Sequence, residues 1–347
     1  MIKLNPLTLK QIKRFKQIKR GYWSLIILSV MLLLSLFAEA LINSKALVVR
    51  YQGEYYFPMV SDVYSGKTFG LESSGEANYR LLQLALKDKN NGDFAILPLV
   101  PWNPYEQDFS GEYPPHAPSA YSKHYLGTDV IGRDILARLV YGFRTAMGFA
   151  LITMVIAYSI GVTVGCAMGF FGRKFDLIVQ RIIETWSMVP FLYVIMILVS
   201  IAQPTFMLFV LINVTFGWMG ITWYMRTMTY RESAREYVLA AKALGASTAR
   251  IIFHHILPNT MVMIVTLAPF TIAANITALT ALDYLGLGLI PPTPSWGELL
   301  QQGKSNLDSP WIVGSVVTAI VGVLVMVTFI GEAIRTAFDP KKYTVYR

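Results

Sequence analysis

The sequence predicts an all-α polytopic membrane protein with six transmembrane helices and both termini on one side. Three observations predict it. Six uninterrupted apolar runs, at 22–42, 145–171, 185–202, 206–225, 260–282 and 311–331, are each close to the 20 or so residues that cross a hydrocarbon core at helical rise. Only 15 % of the 347 residues are charged, against roughly a quarter in soluble proteins, while 54 % are hydrophobic and the mean hydropathy is +0.47. Basic residues are asymmetric: with both termini inside, the inner segments hold nineteen of the thirty Lys and Arg, and the short outer links hold only Lys304. The ten in the long outer segment count little, because long segments translocate regardless of charge. Barrel strands are excluded because they would alternate and span about ten residues each.

The same composition removes other classes. A soluble enzyme does not carry these runs. The single cysteine, Cys166, has no internal disulfide partner, and four scattered histidines form no Cys/His zinc cluster. The formal charge of +9 brackets apolar runs instead of gathering on one soluble face, so it speaks for membrane topology and against a nucleic-acid partner.

The elements follow in order. Residues 1–21 are a basic inner tail, and 22–42 is the first span, too long and without a small-x-small site to be a signal peptide. Residues 43–143 form a polar outer insert. Within it, 48–57 reads as a β-hairpin turning near Gly53, and 98–118, with six of the seventeen prolines, as an extended connection. The insert ends in an amphipathic helix over 129–144. There Ile135, Leu136, Leu139, Val140 and Phe143 make an apolar strip, and Asp129–Arg133 and Asp134–Arg138 stand as opposite charges at i, i+4; an interfacial helix, apart from the rest of the insert, fits that pattern. Residues 144–335 hold the remaining spans, and 336–347 form an inner tail. Ala157, Gly161, Gly165 and Gly169 draw a small-residue stripe that permits close helix packing. Pro190 and Pro269 loosen the third and fifth spans.

No enzyme active site emerges. Ser65-Gly66-Lys67-Thr68 ends like a phosphate-binding loop, but the opening glycine is replaced by Ser61 and no strand-to-helix context surrounds it. His254 and His255 are adjacent, so on a helix they diverge by about 100° and do not grip one metal. Asp129, Asp134 and Glu112 are carboxylates without a nucleophile to organise. Asn213, Thr271, Asn275 and Asp283 are polar groups in or near spans, where such groups face a cavity or a partner because lipid exposure is costly.

The informative stretch is 226–259, an inner polar loop. Tyr237, Ala240, Ala241 and Leu244 fall at i, i+3, i+4, i+7 and give a short helix one stripe. Gly245 ends it as a C-cap, Ser247 caps a second short helix, Ile251, Ile252 and Ile256 continue an apolar face, and Pro258 opens the next helix. By spacing alone this is a helix-turn-helix packed on the spans.

These residues resemble a family. Arg235-Glu236-Tyr237-Val238-Leu239-Ala240-Ala241-Lys242-Ala243-Leu244-Gly245-Ala246-Ser247, followed by Ile251 to Asn259 with His255, Leu257 and Pro258, is similar to the EAA loop of ABC importer permeases. Leu239 stands at the family's glutamate position, a change common in the peptide-transporting branch. His124 to Arg144 is similar to the segment before the second span in the C-type permeases of dipeptide and oligopeptide importers. The likeness runs to Asp283-Tyr284-Leu285-Gly286-Leu287-Gly288 and a closing Asp339-Pro340. The insert, with Arg50-Tyr51-Gln52-Gly53-Glu54-Tyr55-Tyr56-Phe57-Pro58, looks like the Yej-type subunit, associated with peptides and the peptide-nucleotide microcin C.

The resemblance implies the type I ABC importer permease architecture in a bacterial inner membrane, with the insert in the periplasm. It implies import of oligopeptides or peptide-like compounds by alternating access. Partners would be a second homologous permease, ATP-binding cassette ATPases and a periplasmic solute-binding protein, within membrane lipid. ATP and Mg would be used by the ATPases, with no cofactor on this chain. The loop residues Glu236, Tyr237, Ala240, Ala241, Gly245, Ala246, Ser247, His255, Leu257 and Pro258 would couple to the ATPase. Rival readings are a permease for another solute such as nickel or glutathione, a non-transporting scaffold or receptor, and an ion-driven transporter. The last wants ionisable residues within spans, and only Glu39, near a span end, qualifies.

Overall fold

The computed structural model describes residues 6–61, 63–89, 91–110 and 113–338. Glu112 and the closing Asp339-Pro340 lie outside them. In chain order the elements are α1 (Pro6–Gln17), α2 (Lys19–Leu36), α3 (Ala38–Leu41), β1 (Val48–Tyr51), β2 (Glu54–Tyr56), α4 (Tyr79–Lys89), β3 (Phe94–Ile96), α5 (Ile135–Phe171), α6 (Arg173–Ser187), α7 (Phe191–Ile201), α8 (Phe206–Ser233), α9 (Glu236–Ala243), α10 (Thr248–Arg250), α11 (Leu257–Tyr284), α12 (Trp296–Ser305) and α13 (Pro310–Phe338).

Among the described residues five helical stretches are long and apolar enough to cross a membrane: α2, α5, α8, the continuous run Thr248–Tyr284, and α13. The sixth run is a broken pair. α6 and α7 meet at 66°, because Pro190 stands at the junction, just before α7, where it has no N–H to continue the ladder. The expected span at 185–202, loosened at Pro190, is thus a bent pair, the end of an amphipathic α6 followed by an eleven-residue α7. Pro269, by contrast, is carried inside α11. The expected first span at 22–42 is interrupted as well, at Phe37 between α2 and α3.

The core gathers round α5, whose side chains Ile135, Phe143, Phe149 and Ala150 pack with Phe209 and Val210 of α8, Ile276 and Leu279 of α11, Leu299 of α12 and Ile312 and Val316 of α13. The small-residue stripe lies in the α5–α8 seam. A Cβ added to Gly165 would sit 2.5 Å from the Thr222 carbonyl oxygen, and one on Gly169 equally close to that of Arg226. Backbone meets backbone there, which is the packing the stripe predicts.

In the insert, β1 pairs antiparallel with β2 (Val49 opposite Tyr56) and with β3 (Val49 opposite Ala95), giving the order β2-β1-β3. Gln52 and Gly53 both have positive φ, the conformation a two-residue hairpin turn requires. Val49, Phe69, Tyr79, Leu82 and Leu86 form a separate small core, with the Phe69 ring meeting Tyr51, Tyr56, Tyr64 and Tyr79 edge-on. Ser65-Gly66-Lys67-Thr68 opens a 3-10 turn capped by Ser65.

The amphipathic segment differs most from expectation. No break separates 143 from 144: from Ile135 onward the chain is the first part of α5, and 129–134 is a turn. The strip residues Ile135, Leu139 and Phe143 are buried in the core instead of lying on an interface. Nor is the insert apart from this segment, since its Trp102 stacks on His124 and its Asp108 bonds the same ring.

Candidate functional site

Three groups of polar residues stand out, one at the α9 end of the bundle, one within it and one at the insert end. At the first, Val238 and Ala241 of α9 are buried against Ile251, Ile256 and Phe170. Gly245, at φ +78°, terminates the helix: its N–H bonds the Lys242 carbonyl and that of Ala246 bonds Ala241, the paired bonds of a Schellman turn. Lys242 lies 4.6 Å from the Phe170 ring centroid. Tyr237 donates from its hydroxyl to Glu232 at 2.9 Å and accepts from Asn259 at 3.0 Å, lashing both ends of the loop together.

The expected stripe is split by this docking. Ala241 faces in, whereas Ala240 and Leu244 face out with Glu236, Leu239 and Ala243, and Tyr237 sits at the edge. Leu244 is 88 % exposed and Leu239 51 %. Val238, the inward anchor, was missed because i, i+3, i+4 counting admits two adjacent faces on an eight-residue helix. The second short helix is not separate: Ser247 caps α10, and the chain continues through a π-helical stretch, Ile251–Ile256, into α11. Pro258 has no N–H for the His254 carbonyl and its ring would strike it; in the widened stretch the Leu257 N–H bonds Ile252 instead. Ser247 and Pro258 are exposed, Ala246, His255 and Leu257 half-buried.

The polar groups of the spans all make hydrogen bonds within the chain. Thr271 bonds Tyr158 at 2.7 Å and Asn275 donates to the Ala150 carbonyl at 3.1 Å, both tying α11 to α5. Asn213 is buried and reaches the Phe209 carbonyl. Asp283 accepts from the Leu289 N–H at 2.7 Å and Ser295 at 2.5 Å, closing the turn before α12. Asp283 lines a pocket of about 450 Å³ with Gln203, Glu298 and Gln301.

At the insert end the expected Asp134–Arg138 pair does not form. Asp134 caps α5 through the Ala137 N–H at 2.7 Å and takes His124 at 2.8 Å. Arg138 turns to Glu298 of α12 and to the Pro104 carbonyl. Arg133 bonds Asp129 at 2.7 Å, as expected, and also Glu298 at 2.6 Å. Asp129, Arg133, Asp134, Arg138 and His124 are all fully or nearly fully buried. Burial pushes the Asp108 carboxyl up, but donors from Ser110 and the His124 ring outweigh it and hold it below its ordinary value. Glu298 was missed because its partners lie some 160 residues earlier.

Among the described residues no three His, Cys, Asp or Glu side chains are placed to hold a metal ion; the two carboxylates on His124 take opposite ring nitrogens and do not converge.

A family model described as "Binding-protein-dependent transport system inner membrane component" matches residues 161–342. The chain is 41 % identical over 343 residues to the "Inner membrane ABC transporter permease protein YejE" of Escherichia coli (strain K12), covering 99 % of each. It is 35 % identical to the "Peptidoglycan transport system permease protein YejE" of Agrobacterium fabrum over 97 % of this chain and 94 % of that one. The "Oligopeptide transport system permease protein OppC" of Mycobacterium bovis is 32 % identical over 73 % of this chain and 87 % of its own.

Proposed function

The chain belongs to the binding-protein-dependent transport system inner membrane components, as a YejE-type permease subunit of an ABC peptide importer, and from that premise we propose that the α9 loop couples it to its ATPases. The observation that carries this is the outward arc of Leu239, Ala240, Ala243 and Leu244, apolar, uncovered by any other part of the described chain, and built on a helix fixed from behind. Small side chains let a partner approach closely, and rigid seating turns its movement into movement of α11, with which the loop is continuous through Ile251–Ile256. Work enters through the loop as mechanical contact. The ATPases bind and hydrolyse ATP with Mg, a second permease completes the pore, and a periplasmic binding protein delivers cargo for alternating access. The cargo is oligopeptides or peptide-like compounds, a peptide-nucleotide such as microcin C among them; the name of the Agrobacterium relative adds peptidoglycan.

Gly245→Trp tests the coupling. The site is open, with nothing within 4 Å of an added Cβ, but its φ is +78°, so the ring both strains the cap and projects beside Leu244. ATP-dependent peptide uptake should fall more than tenfold while the purified chain stays folded; undiminished uptake refutes the coupling role.

Orientation follows from the basic inner segments, with both termini and α9 in the cytoplasm and the insert in the periplasm. A cysteine at Ser73 should label from outside intact cells and one at Ser247 should not. Cys166 is buried and gives no background. The reverse pattern overturns the orientation.

A further inference from the structure

The break in the third span places a charged pair beside apolar helices. α6 is anchored to α8 at two heights. Arg226 donates to both Asp176 oxygens at 2.5 and 2.6 Å, and Trp186 Nε1 donates to the Thr215 carbonyl at 2.9 Å. Between those anchors α6 runs antiparallel to α8 for roughly ten residues, a climb of about 15 Å. Arg181, which the count of basic residues along the sequence assigned to an inner segment, and Glu184 lie on that climb, level with the apolar part of α8 between Thr215 and Arg226.

Arg181 Nη1 donates to Glu184 Oε2 at 2.6 Å, and Gln180 donates to the other oxygen at 2.9 Å. Glu184 is one turn farther from the Arg226 end, so the guanidinium is drawn toward the middle of the span; a snorkelling arginine would reach the other way. The Arg181 side chain is nevertheless 73 % exposed. Beside the pair runs a groove of about 620 Å³, walled by Ile160, Trp186, Val214 and Trp218. Both indole N–H groups end on the same Thr215 carbonyl, at 2.9 and 3.0 Å, which fixes the rings as walls. Ionisable groups at such depth are costly in lipid and belong to water-filled paths or partners.

We infer that this groove is a station on the cargo path at which Arg181 binds a free carboxylate. The guanidinium fork matches a carboxylate in two parallel hydrogen bonds. A peptide's C-terminus displaces Glu184 from Arg181, and Glu184 is then left to meet a cationic group of the same cargo. The two fixed tryptophans offer side-chain-tolerant apolar faces, and the volume suits a short peptide. The ligand class is thus a short peptide with an unblocked C-terminus. This rests on the peptide-importer reading above.

The test uses the whole complex, with its second permease, ATPases and binding protein, in liposomes, and measures uptake of radiolabelled tri-alanine and of tri-alanine amide. The Arg181→Gln variant should lower tri-alanine uptake at least tenfold and amide uptake less than twofold, and Arg181→Lys should recover part of the loss. Equal loss of both peptides, with or without loss of basal ATPase activity, overturns the inference in favour of a brace or a contact with the second permease. No loss of either overturns it in favour of a lipid-facing arginine. A wild-type complex that moves neither peptide refutes the peptide-importer reading itself, and the inference falls with it; that outcome is seen before any variant is made.

Discussion

Gly165→Leu is expected to leave no stably folded chain to purify. The seam between α5 and α8 has room for a hydrogen and nothing more: a Cβ at Gly165 stands 2.5 Å from the Thr222 carbonyl oxygen and 2.8 Å from the Met225 Cβ. Both obstacles belong to or adjoin backbone, so the helices must separate. Separation strips contacts from Cys166, Ile221 and Met225 along the seam. Overpacking a core typically costs about 1–3 kcal/mol when side chains can yield; here they cannot, and a leucine adds three more carbons. Gly165→Ala is the graded version, expected to be destabilising by about 2 kcal/mol. Gly148→Ala, on the same helix with nothing within 4 Å, should instead be neutral or gain up to about 1 kcal/mol from helix propensity. Thermal unfolding in detergent separates the two, and equal effects at both positions would show that the seam is looser than described.

Glu298→Gln is expected to lower stability by about 3–5 kcal/mol, the range for leaving buried charge without its partner. Glu298 receives both Arg133 and Arg138, whose side chains are 2 % and 0 % exposed. Removing its charge leaves two guanidinium groups facing Asp129 alone, at 2.7 and 3.8 Å. The comparison is Glu106→Gln, which breaks the Arg80 pair in the insert, where both side chains keep a fifth or more of their surface in water; about 1 kcal/mol or less is expected there. Unfolding midpoints near pH 7 read both. If Glu298→Gln proved as mild as Glu106→Gln, the link between α5 and α12 would carry little of the fold's stability. The same network ties the insert to the bundle: its Trp102 and Asp108 hold His124 and its Pro104 carbonyl accepts from Arg138, so 48–118 is not a free-standing module.

The sequence by itself determined which stretches are apolar enough to leave water, because hydropathy sums residue by residue along the chain. It also determined the local backbone devices: the turn near Gly53, the cap at Gly245 and a stripe of small residues at Gly161, Gly165 and Gly169, whose partner α8 the structure supplied. Each depends on a residue and its near neighbours. The α9 loop was legible as a motif, residue by residue, yet its inward face at Val238 was not. Only the tertiary structure decided that Ile135–Phe171 is one helix, that the third span breaks at Pro190 with Arg181 and Glu184 beside it, and that Arg138 abandons Asp134, four residues away, for Glu298. The reason is physical. Buried charges take whichever partner packing brings within hydrogen-bond reach, and packing between segments some 160 residues apart is written in no local pattern.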